Sequence, residues 1–405
     1  MKIAVITDHI PSIWAHSINT MKMADGFFKL GHEVEVLVVC RAKEDINHLK
    51  VKNIHGFYCI NHKIRIKFIR DYSPNYLREI RFIGPIMIKL VKFFAKFIPK
   101  LDVRLDPENQ ISKYCKKNNF DLSFCRTTYK TVYYNIINKI PTILDLHGYD
   151  IPELSHIIKL VKNKYFLGIM TINYVLEKIF IKMGFPAGKI RSMDNAVDID
   201  RFSKITNDKI ILRKKLGLDL AKKIILYSGI LSEDRDVDTI LKASKLLDYN
   251  VFSFYFLGGG LSRNSIKKLQ KYLKLNNINS DIKFLGFKSK ELIPYYLKSA
   301  DVLLATFSNR CVSLAYMSPV KVIEYMASKV PFIMTKIGRA TELCSDEECL
   351  FTEVKNPVDL SEKIKLIINN KNLRDKIVKN AFNKAKMYSL EKRCKVILEL
   401  YKKVK

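Results

Sequence analysis

The 405-residue sequence predicts an α/β protein made of two doubly wound domains, each a parallel sheet with helices on both faces. Three observations carry this. "KIAVIT" (2–7), a helical pattern from Asn19 to Leu30 and "EVEVLVV" (33–39) form a βαβ unit, the crossover that a parallel strand pair requires. After Phe202 the strand–helix alternation starts again at "KKIILYSGI" (222–230). The length suits two domains of about 200 residues, and a 48% hydrophobic content lets each bury a core.

In order, Gly31-His32 ends the first helix, and "DLSFC" (121–125), "PTILDLH" (141–147) and "FLGIMTIN" (166–173) read as further strands. A helix near 174–183 and "KIRSMDN" (189–195) complete the first domain, residues 1–200, with the hinge near 198–206. The second, 201–386, alternates strands at 222–230, 251–260, 282–287, 301–306 and 330–335 with helices near 236–247, 263–275 and 290–299. Before its last strand lies "YMSPVKVIEYMAS" (316–328). Ser318 reads as an N-cap and Pro319 as the first helical residue. Val320, Ile323 and Ala327 recur at helical spacing toward a core, and Glu324 stands among them.

The eight cysteines are scattered without a C-x-x-C pair, which argues against zinc ribbons and redox motifs and for reduced thiols. The N-terminal apolar run is too short for a signal peptide, and no stretch approaches the 18 apolar residues of a membrane span. A cytoplasmic protein is expected. Lys and Arg number 71 against 40 Asp and Glu, a formal charge of +31, so an anionic partner is implied. No nucleic-acid motif with base-reading aromatics accompanies the charge, and nucleic acid is not expected as a partner. Residues 61–104 break the alternation and hold eleven basic residues against three acidic. There Lys89, Lys92, Lys96 and Lys100 form a stripe beside Phe93, Phe94 and Phe97. That pattern suits a helix lying on an anionic membrane surface, or an internal helix with a solvated lysine face; the number of phenylalanines favours the membrane.

Four stretches in order resemble the retaining nucleotide-sugar glycosyltransferases of family 4, the group 1 transferases with the GT-B fold. They are the opening unit "MKIAVITDHIPS…MADGFFKLGHEVEVLVV", "FPAGKIRSMDNAVDIDRF" (185–202), "ILYSGILSEDRDVDTILKA" (225–243) and "IKFLGF…LIPYYLKSADVLLATFS…SPVKVIEYMASKVPFIMT" (282–335). The resemblance covers most of the chain outside about 50–115. It implies two Rossmann-like domains facing each other across a cleft. The first would take the acceptor, with a C-terminal helix of about 387–405 packing back on it; the second would take the nucleotide sugar. The glutamate matching Glu324 would accept hydrogen bonds from the ribose hydroxyls, a task a carboxylate suits. Helix N–H groups near Ser318 would face a diphosphate. Departures stand at Tyr316, where the family often has a second glutamate, and at Ile230, where it has arginine. Arg235 replaces the lysine that normally follows and can clamp phosphate bidentately.

The implied chemistry is loss of a nucleoside diphosphate, with negative charge growing on its β-phosphate. Arg235 is the first choice for the stabilising cation, with Lys321 or Lys336 in support and Gly229 letting the backbone approach. No metal or other cofactor is expected, and no Asp-x-Asp triplet is read as present to hold one. His147 in "DLHGYD" follows a strand end, where open parallel sheets bind ligands; it resembles the family's cleft histidine and joins Arg235 and Glu324 as a catalytic candidate. Asp150 and Arg126 are acceptor-side candidates, Arg126 equally as a structural ion pair. The leading function is retaining transfer of a sugar to a lipid-linked or oligosaccharide acceptor, in surface polysaccharide or lipopolysaccharide synthesis by a peripherally membrane-associated protein. The alternatives are another GT-B enzyme, such as a sugar-nucleotide epimerase, and a non-catalytic anion-binding protein.

Overall fold

Strand β1, Lys2–Asp8, is buried from Ile3 onward on both faces, which is why its sequence runs apolar rather than alternating. The computed structural model describes the chain apart from residues 9, 13–14, 41–50, 61, 71–88, 91–105, 127, 150, 152–153, 261–264, 279, 312 and 403–405. It divides into two compact units, Met1–Asp194 with Leu390–Lys405, and Asn195–Ser389.

In the first unit β1 is joined by β2 (Glu33–Cys40), β3 (Arg65–Arg70), β4 (Leu122–Cys125), β5 (Thr142–Leu146), β6 (Phe166–Thr171) and β7 (Ile190–Ser192). They form one parallel sheet in the order β3-β2-β1-β4-β5-β6-β7. The order reverses between β1 and β4, the place where such sheets open a crevice for ligands. Strand β3 lies inside the basic segment, where the sequence reading placed no strand. It sits at the sheet edge, so its charges stay usable: Arg65 Nε is 3.4 Å from Glu35 Oε1, and Lys67 Nζ lies 3.9 Å from the Tyr114 ring centroid.

The helix Leu390–Lys402 packs on Ala15–Lys29. Gly26 permits the approach, because a Cβ there would stand 2.7 Å from Cys394 Sγ and 3.2 Å from the Leu390 carbonyl oxygen. The division of the chain falls at Asp194/Asn195, ahead of the expected 200/201, and the return at Ser389/Leu390. The reason is local. Asn195 is hydrogen-bonded to Ser318, and Val197 bridges to Ser389, which ties 195–200 into the second unit.

The second unit holds β8 (Lys223–Ser228), β9 (Phe252–Leu257), β10 (Asp281–Gly286), β11 (Val302–Ala305), β12 (Phe332–Thr335) and β13 (Leu350–Thr352). Their parallel order is β10-β9-β8-β11-β12-β13, with its reversal between β8 and β11. Alternate residues of β8 feed two cores: Ile224 and Leu226 pack with Phe307, Tyr325 and Met326, while Ile225 and Tyr227 pack with Phe254 and Phe256. Each such buried side chain contributes about 1.5–3 kcal/mol relative to exposure.

The helix Val320–Ser328 buries Val322, Ile323, Tyr325, Met326, Ala327 and Ser328, a broader face than the spacing alone gave. Tyr325 fixes it to the reversal point, where its hydroxyl accepts from the Ser228 N–H at 2.9 Å and donates to the Leu304 carbonyl at 3.2 Å.

The proposed membrane stripe falls mostly outside the described residues: Lys92, Lys96 and Lys100 are not among them, while Lys89 is helical and exposed. Among the described residues no helix is long and apolar enough to cross a membrane.

Candidate functional site

The second unit gathers its chemistry where β8 and β11 end. The chain leaves β8 through Gly229 at φ +141°, where a Cβ would lie 3.1 Å from Lys321 Nζ and 3.4 Å from the Tyr227 hydroxyl. The "LGGG" turn after β9 packs on it directly: Gly258 has φ +131°, and a Cβ there would fall 2.1 Å from the Gly229 carbonyl oxygen. Only glycine fits both demands, left-handed backbone and close approach.

Arg235 ends the 3-10 turn Glu233–Arg235, and its carbonyl accepts from Thr306 Oγ1 at 2.6 Å, just beyond β11. Its guanidinium carbon lies 5.6 Å from the Phe307 centroid, Nη1 donates to Cys311 Sγ at 3.7 Å, and Nε faces Asp234 Oδ2 at 3.3 Å. Lys321, in the first turn of Val320–Ser328, donates from Nζ to the Tyr227 hydroxyl at 2.9 Å and lies 5.4 Å from the same Phe307 centroid. Burial, then the neighbouring Arg235, push the Lys321 ammonium down to about 7, against Asp234 and Cys311. Its accessible surface places it as half-buried, with the ammonium packed among rings and the guanidinium. Glu324 follows three residues later and is half-buried. Helical spacing puts Lys321 and Glu324 on neighbouring positions of one face.

Ser318 differs from expectation. Pro319, at ψ 106°, occupies the N-cap and has no side-chain atom to accept from the first-turn N–H groups. Ser318 is thereby displaced one residue outward, beyond reach of the first-turn N–H groups. Its Oγ accepts instead from the Asn195 N–H at 2.8 Å, and its carbonyl from Asn195 Nδ2 at 2.7 Å. Ile230, at the family's arginine position, uses its carbonyl to accept from the Tyr227 hydroxyl at 2.8 Å. Tyr227 and Phe307, which frame the two cations, were not singled out from the sequence; Tyr227 reads there as an ordinary strand residue and Phe307 as the residue just past a strand.

The first unit gathers a second cluster. Arg126 follows β4 and is buried, its Nη1 standing 2.7 Å from Asp145 Oδ2 and 2.7 Å from His147 Nε2. His147 Nε2 is 3.0 Å from the same Asp145 oxygen. The other oxygen, Oδ1, accepts from Arg393 Nη2 at 3.1 Å. Burial disfavours the Asp145 carboxylate, but His147, Arg126 and Arg393 outweigh it and hold the group well below the usual carboxylate range. Burial, then Arg126, push His147 down to about 4, against the pull of Asp145. At neutral pH the ring is uncharged, so the two arginines are the ions that hold Asp145. Arg126 is therefore placed as a buried ion pair. Asp150 lies outside the described residues.

Asp-x-Asp triplets do occur, at 198–200, 234–236 and 236–238. Asp234 faces Arg235, Asp236 accepts from Thr239 Oγ1 at 2.9 Å, and Asp238 pairs with Lys242 at 2.7 Å. Among the described residues no group of three or more His, Cys, Asp or Glu is placed to hold a metal ion.

Comparison with known proteins places this geometry. Residues 208–384 match the family model of glycosyl transferases group 1. An uncharacterised glycosyltransferase of Methanocaldococcus jannaschii is 21% identical over 99% of this chain and 98% of its own. A putative teichuronic acid biosynthesis glycosyltransferase of Bacillus subtilis is 24% identical over 56% of this chain and 54% of its own. The crystal structure of Anabaena HepE in complex with UDP superposes with a TM-score of 0.71 at 17% identity, covering 100% of both chains, and HepE has also been crystallised with UDP-glucose. The chain has the GT-B fold, and its residues 208–384 match a group 1 glycosyltransferase domain.

Proposed function

We propose that this protein moves a sugar from a nucleotide-diphosphate sugar to a lipid-linked or oligosaccharide acceptor, with retention at the anomeric carbon, in surface polysaccharide or lipopolysaccharide synthesis. The observation that carries the reading is the pair Arg235 and Lys321 around the Phe307 ring, beside Gly229 at the β8/β11 reversal. Two cations so close, one of them shifted toward its neutral form, suit a doubly charged anion. The structure of HepE with UDP and the name of the teichuronic acid relative support a nucleotide donor and a polysaccharide product.

In this reading the bond between the sugar's anomeric carbon and the β-phosphate oxygen breaks, and its electron pair leaves with the diphosphate. Arg235 and Lys321 face that growing charge, which is stabilisation strongest in the transition state. Glu324 accepts from the ribose hydroxyls. The acceptor hydroxyl forms the new bond on the face the diphosphate vacated and gives its proton to the departing β-phosphate oxygen. His147, neutral at pH 7, orients a sugar or acceptor hydroxyl from the first unit. Asp150 is assigned to the acceptor side; Arg126 supports His147 there. No metal is required, because the two cations supply the neutralisation. The excess of basic residues in 61–104 supports a peripheral place on an anionic cytoplasmic membrane surface.

The test is a donor screen read by nucleotide release, followed by transfer to a lipid-linked acceptor and NMR of the product's anomeric proton. Free sugar released as an epimer, with no acceptor dependence, would overturn the reading. So would a product of inverted configuration.

A further inference from the structure

We propose that Arg393, carried in by the C-terminal helix, is a positioning residue that clamps the far oxygen of Asp145 and so fixes where Arg126 and the His147 ring stand. Both oxygens of the Asp145 carboxylate have partners. Oδ1 takes Arg393 Nη2 at 3.1 Å, and Oδ2 is shared by Arg126 Nη1 at 2.7 Å and His147 Nε2 at 3.0 Å. Arg393 is 2% exposed, and Asp145 is 3% exposed. The rest of the guanidinium is anchored, since Nη1 donates to the Met193 carbonyl and, at 3.2 Å, to that of Asp194. Three segments therefore meet on one side chain: the C-terminal helix, β5 and the stretch after β7.

A residue needed only to fill this space would be apolar. Burying a guanidinium costs desolvation, and well-packed apolar residues in place of a buried ion pair are often neutral or stabilising. What an apolar residue cannot do is hold a carboxylate rotor. Without Arg393 the Oδ1 atom loses its charged partner, the carboxylate is free to turn about its Cβ–Cγ bond, and Oδ2 leaves the position that Arg126 and His147 share. The helix that presents Arg393 is itself held by the close contact of Gly26 with Cys394 and Leu390. The clamp is thus built from the packing of helix Leu390–Lys402 on helix Ala15–Lys29.

The charged groups that bear on the His147 ring come from three elements: Arg126 after β4, Asp145 on β5 and Arg393 on the C-terminal helix. Asp145 favours the protonated ring more than Arg393 opposes it, so a carboxylate freed to turn away takes the larger influence with it and the titration midpoint moves down. That the ring's placement matters for transfer rests on the proposed function. The clamp does not.

The experiment is a pH titration of the histidine rings by NMR on the full chain, with His147 assigned from the spectrum of His147→Gln. It is run on wild type, Arg393→Met and Arg393→Lys. The expected result is a lower His147 midpoint in Arg393→Met, with Arg393→Lys returning most of the way to wild type. In turnover, Arg393→Met loses tenfold to a hundredfold in kcat while the donor KM stays within about twofold. An unchanged midpoint in a folded Arg393→Met overturns the clamp, and so does a raised one, which would show a lost cation beside a carboxylate that has not moved. If that variant does not fold, Arg393→Gln is read in its place, and a wild-type midpoint in it overturns the clamp. A shifted midpoint with unchanged kcat overturns the positioning role. If no donor is turned over at all, the functional reading fails while the titration still decides the clamp.

Discussion

Arg235 and Lys321 share one aromatic ring: the guanidinium carbon lies 5.6 Å and the ammonium 5.4 Å from the centroid of Phe307. The ring's negative face attracts both cations, while they repel each other. The repulsion joins burial in depressing Lys321 to about 7. Tyr227 adds a hydroxyl that accepts from Lys321 Nζ at 2.9 Å.

The first prediction follows from that depressed value. A nucleoside diphosphate near Lys321 favours the charged ammonium, so binding takes up a proton once the pH is above about 7. Affinity for UDP or its analogues should fall from pH 7 toward pH 9, by up to tenfold per pH unit. Lys321→Met should bind weakly and lose that slope. Calorimetry in buffers of different ionisation heat reads the proton directly. Proton release, or a slope retained in Lys321→Met, would remove Lys321 from the phosphate site.

Arg235 has the other half of the work. Arg235→Ala should lower kcat by roughly a hundredfold to a thousandfold, the range seen when one group stabilising a transition-state charge is removed. The apparent donor KM should rise much less. Glu324→Ala should instead weaken donor binding by about tenfold to a hundredfold, as for a charged hydrogen bond, with little change in melting temperature. A large loss of stability in Glu324→Ala at unchanged nucleotide affinity would mark the carboxylate as a packing residue.

Much of this was legible in the sequence, and the failures have causes. Most strands of both sheets stood out because parallel strands covered on both faces read as continuous apolar runs; the three-residue edge strand β13 was too short to show one. Strand β3 did not, because "RIKFIR" alternates basic and apolar residues as an edge strand does. Lys321 and Glu324 were readable from a local S-P-x-K-x-x-E-Y pattern; Ser318 was misplaced because Pro319 takes the cap position itself. His147 could be placed at a strand end, but its hub, Asp145, depends on Arg393, 248 residues away. No local pattern carries such a contact.

Acid should unfold the protein partly through that hub. Both groups have folded values below their unfolded ones, so the unfolded chain binds more protons and stability falls as pH falls. His147 contributes between its ordinary value near 6.5 and about 4, and Asp145 contributes below the ordinary carboxylate range. Melting temperatures of wild type and His147→Gln should therefore converge as the pH drops from 7 to 4. Parallel curves would show that the ring is not held neutral by its surroundings.

Gly258 offers a test of how tightly the donor-side turns are packed. Gly258→Ala adds a Cβ that would lie 2.1 Å from the Gly229 carbonyl oxygen, at a φ of +131°. That backbone region costs about 1–3 kcal/mol for a residue with a side chain, and the contact cannot be relieved by rotating a flexible group. The variant should melt several degrees lower and lose nucleotide affinity, because the Gly229 turn must move. Equal melting and affinity would mean that the two turns yield freely and that Gly229 is not placed by its neighbour.

The last prediction concerns the basic stretch. If Lys89, Lys92, Lys96 and Lys100 face an anionic membrane, each strengthens binding by roughly fivefold near the surface. Changing all four to glutamine should weaken binding to vesicles rich in phosphatidylglycerol by several hundredfold before orientation costs. Raising the salt should weaken the wild type in the same direction, because screening shortens the reach of the attraction. Nucleotide release from the donor should be little affected in the variant, since donor contacts are assigned to the second unit. Transfer to a lipid-linked acceptor embedded in those vesicles should drop. Co-sedimentation with phosphatidylcholine vesicles alone supplies the uncharged control. Equal sedimentation of wild type and variant, or no binding by either at low salt, would remove the lysines from membrane binding and return the +31 charge to other partners.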